Sequence, residues 1–473
     1  MSYSEGKLDV PHAALVIVVL AYTFFFVYSP HLEYDFPFHV DEWRHITEAR
    51  RVIDGSYHPA LEVGFHIFLA LLYKTTDLVL IYRFLPAVFA CISSIVLFYT
   101  TLKLSKNYSI SVLSMVFFTS IKSNVNITGM WFFTPLTFSI PLIYLFAWLY
   151  SEAVSKDDVR KLLLSFLVYL TIAFFHIISA TFLIPAIILY SLLNRKFFIK
   201  HWKTSAIALL IPIATYIAFT SVLNVDIPKD PNQTQLIFKH GWGIYEIDLP
   251  IIHGYSHIAA LLAVLGIPIA YKKRQHLHLL WMLTTLTAVY AFPHLGYSVF
   301  APYQRNYYYF LLSLPLLSAY GTNTLYGFIK SRIKNENKTL IVFSIMMILA
   351  LTFTFKDYWS LPGDVKIYQL IDENDYQALK FLESIDQSDS KVMADSRKSM
   401  AVYPVSGHEI VGGFFFWGNK DDTERFFNGN CTIKQDLIKK HAVRYILSKE
   451  PLDCGWETIY NKESIIYETQ QAT

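Results

Sequence analysis

Charge is what this chain has least of. Only 16% of its 473 residues are Asp, Glu, Lys or Arg, against 54% hydrophobic, and the net charge is +3. That is too little charge to dress one soluble domain of this length, and it points to a polytopic α-helical membrane protein. The basic residues form short clusters instead of a stripe, so no nucleic-acid partner is expected. Cysteine is nearly missing, with 3 in all. Cys91 falls in an apolar run, which leaves Cys431 and Cys454 either to bridge in an oxidising compartment or to stay as two buried thiols. No internal repeat or low-complexity linker is present. No small-residue cleavage site follows the first apolar run, Val10 to Tyr28, so it reads as a retained span and not as a signal peptide.

What the chain does have is apolar length. Further runs extend from Leu80 to Leu102, Tyr108 to Ile121, Met130 to Leu149, Leu162 to Phe175 and Ile177 to Leu193. Others cover Ser205 to Leu223, His257 to Tyr271, Leu279 to Phe292, Tyr307 to Phe328 and Leu340 to Phe355. Together they predict about 11 transmembrane helices. With the N-terminus cytoplasmic, alternate loops carry Lys103/Lys106, Lys156/Arg160/Lys161, Arg195/Lys196/Lys200/Lys203, Lys272/Lys273/Arg274 and Lys330/Arg332/Lys334/Lys338. The opposite loops are poor in cations, so the positive-inside rule places Asp41-Glu42 and the C-terminal region outside the cytoplasm.

Ser56 to Thr76 is apolar, yet counting it as a span would invert the charge pattern, so it reads as an interfacial helix. Before it, Trp43, Ile46, Ala49 and Ile53 recur at helical spacing against Glu42, Arg44, His45, Glu48 and Arg51, which predicts a short amphipathic helix. Composition changes after residue 355. A membrane domain over 1–355 is followed by a soluble outer α/β domain over 356–473. Its helices are expected at Tyr376 to Ile385, Asp421 to Phe427 and Ile433 to His441. Strands are expected at Lys391 to Ala394, Val443 to Leu447, Thr458 to Tyr460 and Ser464 to Tyr467.

Two adjacent acids beside a bilayer, Asp41 and Glu42, form the main chemical signal. In the first turn of the amphipathic helix, the macrodipole favours their ionised form, and a carboxylate there can take the proton of a hydroxyl acceptor. Acids at a helix start also serve simply as caps. Asp41, His45 and Glu48 recur at i, i+4 and i+7, a spacing open to a divalent metal or to a solvated polar face. His66, His176, His257 and His294 fall at predicted outer helix ends, where most such residues are satisfied at the interface and ligation is the alternative. Arg305, before a Tyr-rich helix start, is placed either to hold a lipid phosphate bidentately or to anchor the interface beside Tyr303 and Tyr307 to Tyr309. The long loop Asn224 to Tyr255, with Lys229, Lys239, Trp242 and Tyr245, has the length of a lid. Asp357, Asp364 and Lys366 open the soluble domain. Asn126, Asn232 and Asn430 lie in Asn-X-Ser/Thr sites.

Three segments carry a family resemblance: Val40-Asp41-Glu42-Trp43-Arg44-His45-Ile46, Asp54-Gly55-Ser56-Tyr57-His58-Pro59-Ala60-Leu61 and Tyr82-Arg83-Phe84-Leu85-Pro86-Ala87. They resemble the GT-C superfamily of membrane glycosyltransferases, with an Asp-Glu form similar to the protein O-mannosyltransferase branch. Val392 to Arg397 and Ala401 to Gly407 are similar to the soluble domains of prokaryotic members. The resemblance implies a GT-C fold, a polyprenyl- or dolichyl-phosphate-sugar donor and an extracytoplasmic active site. It implies Asp41 as base with Glu42 beside it, Arg305 as donor-phosphate ligand, and substrate-binding roles for His45, His58 and Arg397. The loop Ser123 to Gly129 lacks the acid that oligosaccharyltransferases carry, and Phe416-Trp417-Gly418-Asn419 does not match their Trp-Trp-Asp motif. Metal-independent, inverting transfer of a single sugar to a glycan, lipid or protein acceptor follows, with no cofactor expected. The competing readings are a lipid-linked-saccharide flippase or transporter, and a non-catalytic glycan-binding membrane protein. A transporter would set charges or broken helices at mid-membrane, whereas these acids lie at the predicted interface.

Overall fold

The structure is a computed structural model. It describes residues 10–58, 62–123, 129–206, 210, 254–296, 298, 300–333, 335, 338, 341–342, 345, 369–385, 390–413 and 418–469. Expectations for Asn126, Asn232, Asp357, Asp364, Lys366, Phe416-Trp417, most of the runs Ser205 to Leu223 and Leu340 to Phe355, and nearly all of the lid-length loop fall outside those residues.

The chain begins with α1 (Val10–Tyr28), α2 (Val40–Asp54), α3 (Val63–Tyr73), α4 (Leu78–Ile81), α5 (Leu85–Ser105), α6 (Tyr108–Phe118) and α7 (Pro135–Lys156). There follow α8 (Val159–Phe175), α9 (Ile177–Thr181), α10 (Ile184–Leu193), α11 (Arg195–Lys200), α12 (His257–Lys272), α13 (His276–Leu295) and α14 (Tyr303–Arg332). The last part holds α15 (Glu373–Ile385), β1 (Lys391–Ala394), α16 (Ser399–Ser406), β2 (Glu409–Ile410), α17 (Lys420–Asn428), α18 (Cys431–His441), β3 (Val443–Ser448), β4 (Glu457–Asn461) and β5 (Ile465–Glu468). Among the described residues, three stretches, Ala13–Leu32, Leu78–Ser105 and Pro135–Lys156, are long and apolar enough to cross a membrane.

The chain divides into two compact units. The first comprises Met1–Pro30, His58–Phe65 and Phe84–Asp364. Its central helix is α14, buried on every side from Tyr307 to Thr322. Pro315 lies inside it and removes the N–H that the Leu311 carbonyl would otherwise accept. Side chains from neighbouring helices bond to the carbonyls around that break. The Tyr144 hydroxyl donates to the Leu312 carbonyl at 2.7 Å, His278 Nε2 to Ser313 at 2.6 Å, and Trp281 Nε1 to Tyr309 at 3.0 Å. In lipid, where water cannot satisfy a bent backbone, such bonds let a proline stand in a buried helix. α12 and α14 meet backbone to backbone: a Cβ on Gly266 would overlap the Leu317 carbonyl, and one on Gly321 would overlap that of Leu262. Small residues at a crossing are how apolar helices gain packing when the hydrophobic effect is weak.

The run Ile177 to Leu193 is one predicted span, but the structure breaks it into α9 and α10. Pro185 sits in the first turn of α10, where its missing N–H costs nothing, whereas in a continuous helix it would remove a bond.

The second unit comprises His31–Tyr57, His66–Arg83 and Val365–Thr473. Its five-stranded sheet has the order β2-β1-β3-β5-β4. β1 runs parallel to β2 and β3, while β5 pairs antiparallel with β3 and β4. Met393, Val443 and Ile446 from the strands bury against Phe426, Leu437 and Ile438 of α17 and α18. Cys431 and Cys454 form a disulfide with Cα atoms 5.4 Å apart. α2 packs on α16, and α16 on α15. Neither α16 nor β2 was legible in the sequence: Ser399–Ser406 carries Pro404 and is buried at every position, which erases the periodicity of a half-exposed helix.

Candidate functional site

The Asp41-Glu42 pair sits on the start of α2, and the backbone there explains why the two acids differ. His39 is the N-cap, extended at φ −108° and ψ 144°. Glu42, three residues on, turns back: its Oε2 accepts the backbone N–H groups of Phe38 and His39, each at 2.9 Å. These donors have no partner inside the helix, so a carboxylate at this position satisfies them and meets the positive end of the dipole. Glu42 is fully buried. Asp41 is tied to the cap through its backbone, whose N–H donates to His39 Nδ1 at 3.1 Å. Its carboxylate is 39% exposed and lies 3.5 Å from the same ring nitrogen. Gly55 ends the helix at φ 75° and donates its N–H to the Arg51 carbonyl, a left-handed position that favours glycine.

The amphipathic reading of α2 needs one correction. Trp43, Ile46 and Ala49 are buried as expected, but Glu42 and His45 are buried too and do not belong to a solvated face. Capping pulls Glu42 inward. His45 is drawn in by His66, with Nδ1 and Nε2 of the two rings 3.0 Å apart, and His66 Nδ1 meets the Tyr57 hydroxyl at 2.8 Å. His66 is thus buried and hydrogen-bonded, whereas His257 and His294 are exposed. Of the metal-spaced trio, Asp41 stays at the cap, His45 engages His66, and Glu48 pairs with Arg51 at 3.2 Å. His58 is exposed.

Arg50, which sequence reasoning did not single out, holds this unit together. Its guanidinium donates to the Tyr73 hydroxyl at 3.0 Å, to the Val405 carbonyl at 2.9 Å and to Glu383 at 3.0 Å. It thereby ties α2 to α3, α15 and the C-terminal end of α16, where a cation also suits the dipole. The only advance signal was its i, i+4 spacing to Asp54, a pair 3.8 Å apart. Nearby, burial and then the Asp77 carboxylate, which its hydroxyl reaches at 2.5 Å, push the Tyr376 phenol up. Burial lowers Lys398 although it pairs with Asp375 at 2.7 Å. Arg397 is exposed on the turn between β1 and α16, its backbone N–H bonded to Asp395 at 3.0 Å. Asn430 caps α18 by accepting the Ile433 N–H at 3.1 Å.

In the first unit, Arg305 stands in the first turn of α14, its backbone N–H donating to the Pro302 carbonyl at 2.9 Å. One turn on is Tyr309, whose hydroxyl lies 2.8 Å from Ser179 Oγ. Ser179 Oγ in turn lies 2.7 Å from His176 Nδ1. His176 fills the break between α8 and α9, extended at φ −156° and ψ 96°. Phe182 stacks on the Tyr309 ring, with centroids 3.7 Å apart and planes at 9°. The expectation of a satisfied interfacial histidine holds for His176 at Nδ1.

By sequence, no family model and no curated protein matches the chain. By structure it is similar to the archaeal oligosaccharyltransferase AglB from Archaeoglobus fulgidus, solved with an inhibitory peptide and a dolichol-phosphate. That likeness has TM-score 0.56 at 10% identity and covers 93% of this chain and 69% of that one. It is similar along nearly its whole length to ArnT from Cupriavidus metallidurans in the apo state, with TM-score 0.62 at 8% identity, covering 97% of this chain and 98% of that one. Both neighbours are GT-C membrane glycosyltransferases. The fold of this chain is therefore the GT-C fold that the acidic motif and its flanking segments resemble.

Proposed function

We propose that this protein is an integral-membrane glycosyltransferase that moves one sugar from a polyprenyl-phosphate carrier to a hydroxyl acceptor on the extracytoplasmic face. The observation that carries the reading is the unequal use of the two acids. Glu42 is occupied by the helix cap, while the Asp41 carboxylate remains partly exposed on the same turn. Asp41 is read as the base. It takes the acceptor hydroxyl proton as that oxygen attacks the anomeric carbon, and the bond from that carbon to the phosphate oxygen breaks with inversion. The carrier leaves as polyprenyl phosphate, its charge stabilised by Arg305. A phosphate leaving group needs little protonation, so one base suffices and no metal is required by the chemistry.

The fold shared with an enzyme solved with a dolichol-phosphate supports the lipid-phosphate donor. The absence of an acid in the sequence Ser123 to Gly129 favours one sugar over an oligosaccharide. The test is transfer of radiolabelled sugar from dolichyl-phosphate-sugar by purified protein in lipid. Asp41→Asn should lower the rate by at least about a hundredfold, in the range of general-base losses, and a chelator should leave the wild-type rate unchanged. No transfer to any of a broad set of hydroxyl acceptors would reject the enzyme. An active Asp41→Asn would reject the base.

A further inference from the structure

We propose that α11 and the helical turn after it lie in the headgroup layer of the membrane and bind acidic phospholipid. Ile199 and Trp202 enter the acyl chains, and Arg195, Lys196 and Lys203 meet the headgroup phosphates. This surface goes beyond the transfer reaction and does not depend on it. Charge does not end the apolar sequence here. α10 finishes with Leu192 and Leu193 exposed, Arg195 and Lys196 follow, and then Phe197, Phe198, Ile199 and Trp202 resume the apolar character. Two contacts settle which side of α11 turns inward. Phe197 is buried, and the Phe198 ring lies 6.1 Å from that of Tyr150 on α7. The Asp157 carboxylate, just past the end of α7, takes Lys200 Nζ and lies 2.8 Å from His201 Nε2. With that side fastened, Ile199 is 69% exposed and Trp202 is 62% exposed.

Charge complementarity names the occupant. From Arg195 to Lys203 the chain carries four cations and no acid. Asp157 is taken up by Lys200 and His201, and Arg195, Lys196 and Lys203 are exposed. Lys196, Lys200 and Lys203 recur at i, i+4 and i+7, beside the stripe that Ile199 and Trp202 form at i and i+3. Lys203 Nζ stands 5.9 Å from the centre of the Trp202 ring, so charge and apolar surface adjoin. Water would suit the cations and leave the two large apolar side chains bare. A neutral lipid would cover the apolar stripe and add no charge to meet the cations. An acidic headgroup above acyl chains satisfies both stripes at once. Lysine suits this depth because its methylene stem packs with the chains while its ammonium reaches the phosphate. Tryptophan suits it too, with an apolar ring and an N–H that stays wet.

The experiment attaches the fluorophore NBD to the full-length protein in nanodiscs of phosphatidylcholine and phosphatidylglycerol, with Cys91→Ser as background. The probe sits at Ile199→Cys or, for reference, at Gln435→Cys, which is exposed on the sheet domain. Doxyl-labelled lipid should quench the probe at Ile199→Cys and leave it bright at Gln435→Cys. Labelled phosphatidylglycerol should quench more strongly than labelled phosphatidylcholine. Lys196→Gln and Lys203→Gln should each lower that preference about fivefold, and Lys439→Gln, on α18, should leave it unchanged. Salt at about 1 M should erase the preference while the quenching itself remains. Inorganic phosphate at equal ionic strength should do no more than chloride. No quenching at Ile199→Cys overturns the immersion, whether water or another protein then covers the stripe. Equal quenching by the two lipids, or a preference that both lysine variants leave unmoved, overturns the acidic headgroup. Competition by phosphate beyond that of chloride would mean that the cations hold a free anion, and overturns it as well.

Discussion

Asp41 and Glu42 share one helical turn, yet their removal should have opposite consequences. Glu42→Ala leaves the Phe38 and His39 N–H groups without their acceptor in a buried site. The expected cost is about 1–3 kcal/mol, read as a lowered thermal midpoint of the purified protein. The Asp41 side chain is partly exposed and satisfies no helix-end donor, so Asp41→Asn should stay within about 0.5 kcal/mol of wild type while losing transfer. Equal destabilisation by the two changes would mean that both acids are structural. Sequence alone did not separate them, for a physical reason. A capping box is recognised by Ser or Thr at the N-cap, and here His39 occupies that place, so the sequence leaves capping and catalysis open for both acids alike. Arg50 was illegible for a related reason: its partners in α15 and α16 are more than 300 residues away in sequence.

Among the helices, what the sequence disclosed was length and what it hid was contact. The run Leu80 to Leu102 is readable because a membrane span demands unbroken apolar residues, and it lies within Leu78–Ser105, long and apolar enough to cross, whereas Tyr108 to Ile121 yields only the shorter helix α6. Strands β1 and β3 were readable because flanking turn residues bound short β-rich runs. The way α12 meets α14 was not readable, since Gly266 and Gly321 stand in apolar runs like any other small residue. Their role appears only when the Leu317 and Leu262 carbonyls are seen to occupy the space of the missing side chains. Gly321→Val should force these helices apart and cost about 1–3 kcal/mol, with a lower unfolding temperature in lipid. Gly327, further along α14, has open space at the same position. Gly327→Ala should therefore be tolerated, and equal sensitivity at both sites would rule out close packing as the cause.

For the whole molecule, the proposed chemistry requires α2 and the sheet domain to lie outside the cytoplasm. Two consequences follow from independent features. The Cys431–Cys454 bridge closes a loop of 23 residues, so reduction should destabilise the sheet domain by about 3 kcal/mol, seen as a lower midpoint in reductant. The orientation itself rests on loop charge, and Lys272, Lys273 and Arg274 stand exposed between α12 and α13. Gln435, on α18, is also exposed. With Cys91→Ser as background, which leaves no free thiol besides the one introduced, Gln435→Cys should react with a membrane-impermeant maleimide in intact cells. Lys273→Cys should react only after permeabilisation, because cations are retained on the cytoplasmic side. The reverse pattern would put Asp41 with the cytoplasmic pool of acceptors, and an extracytoplasmic transfer reaction would then have no base at this position.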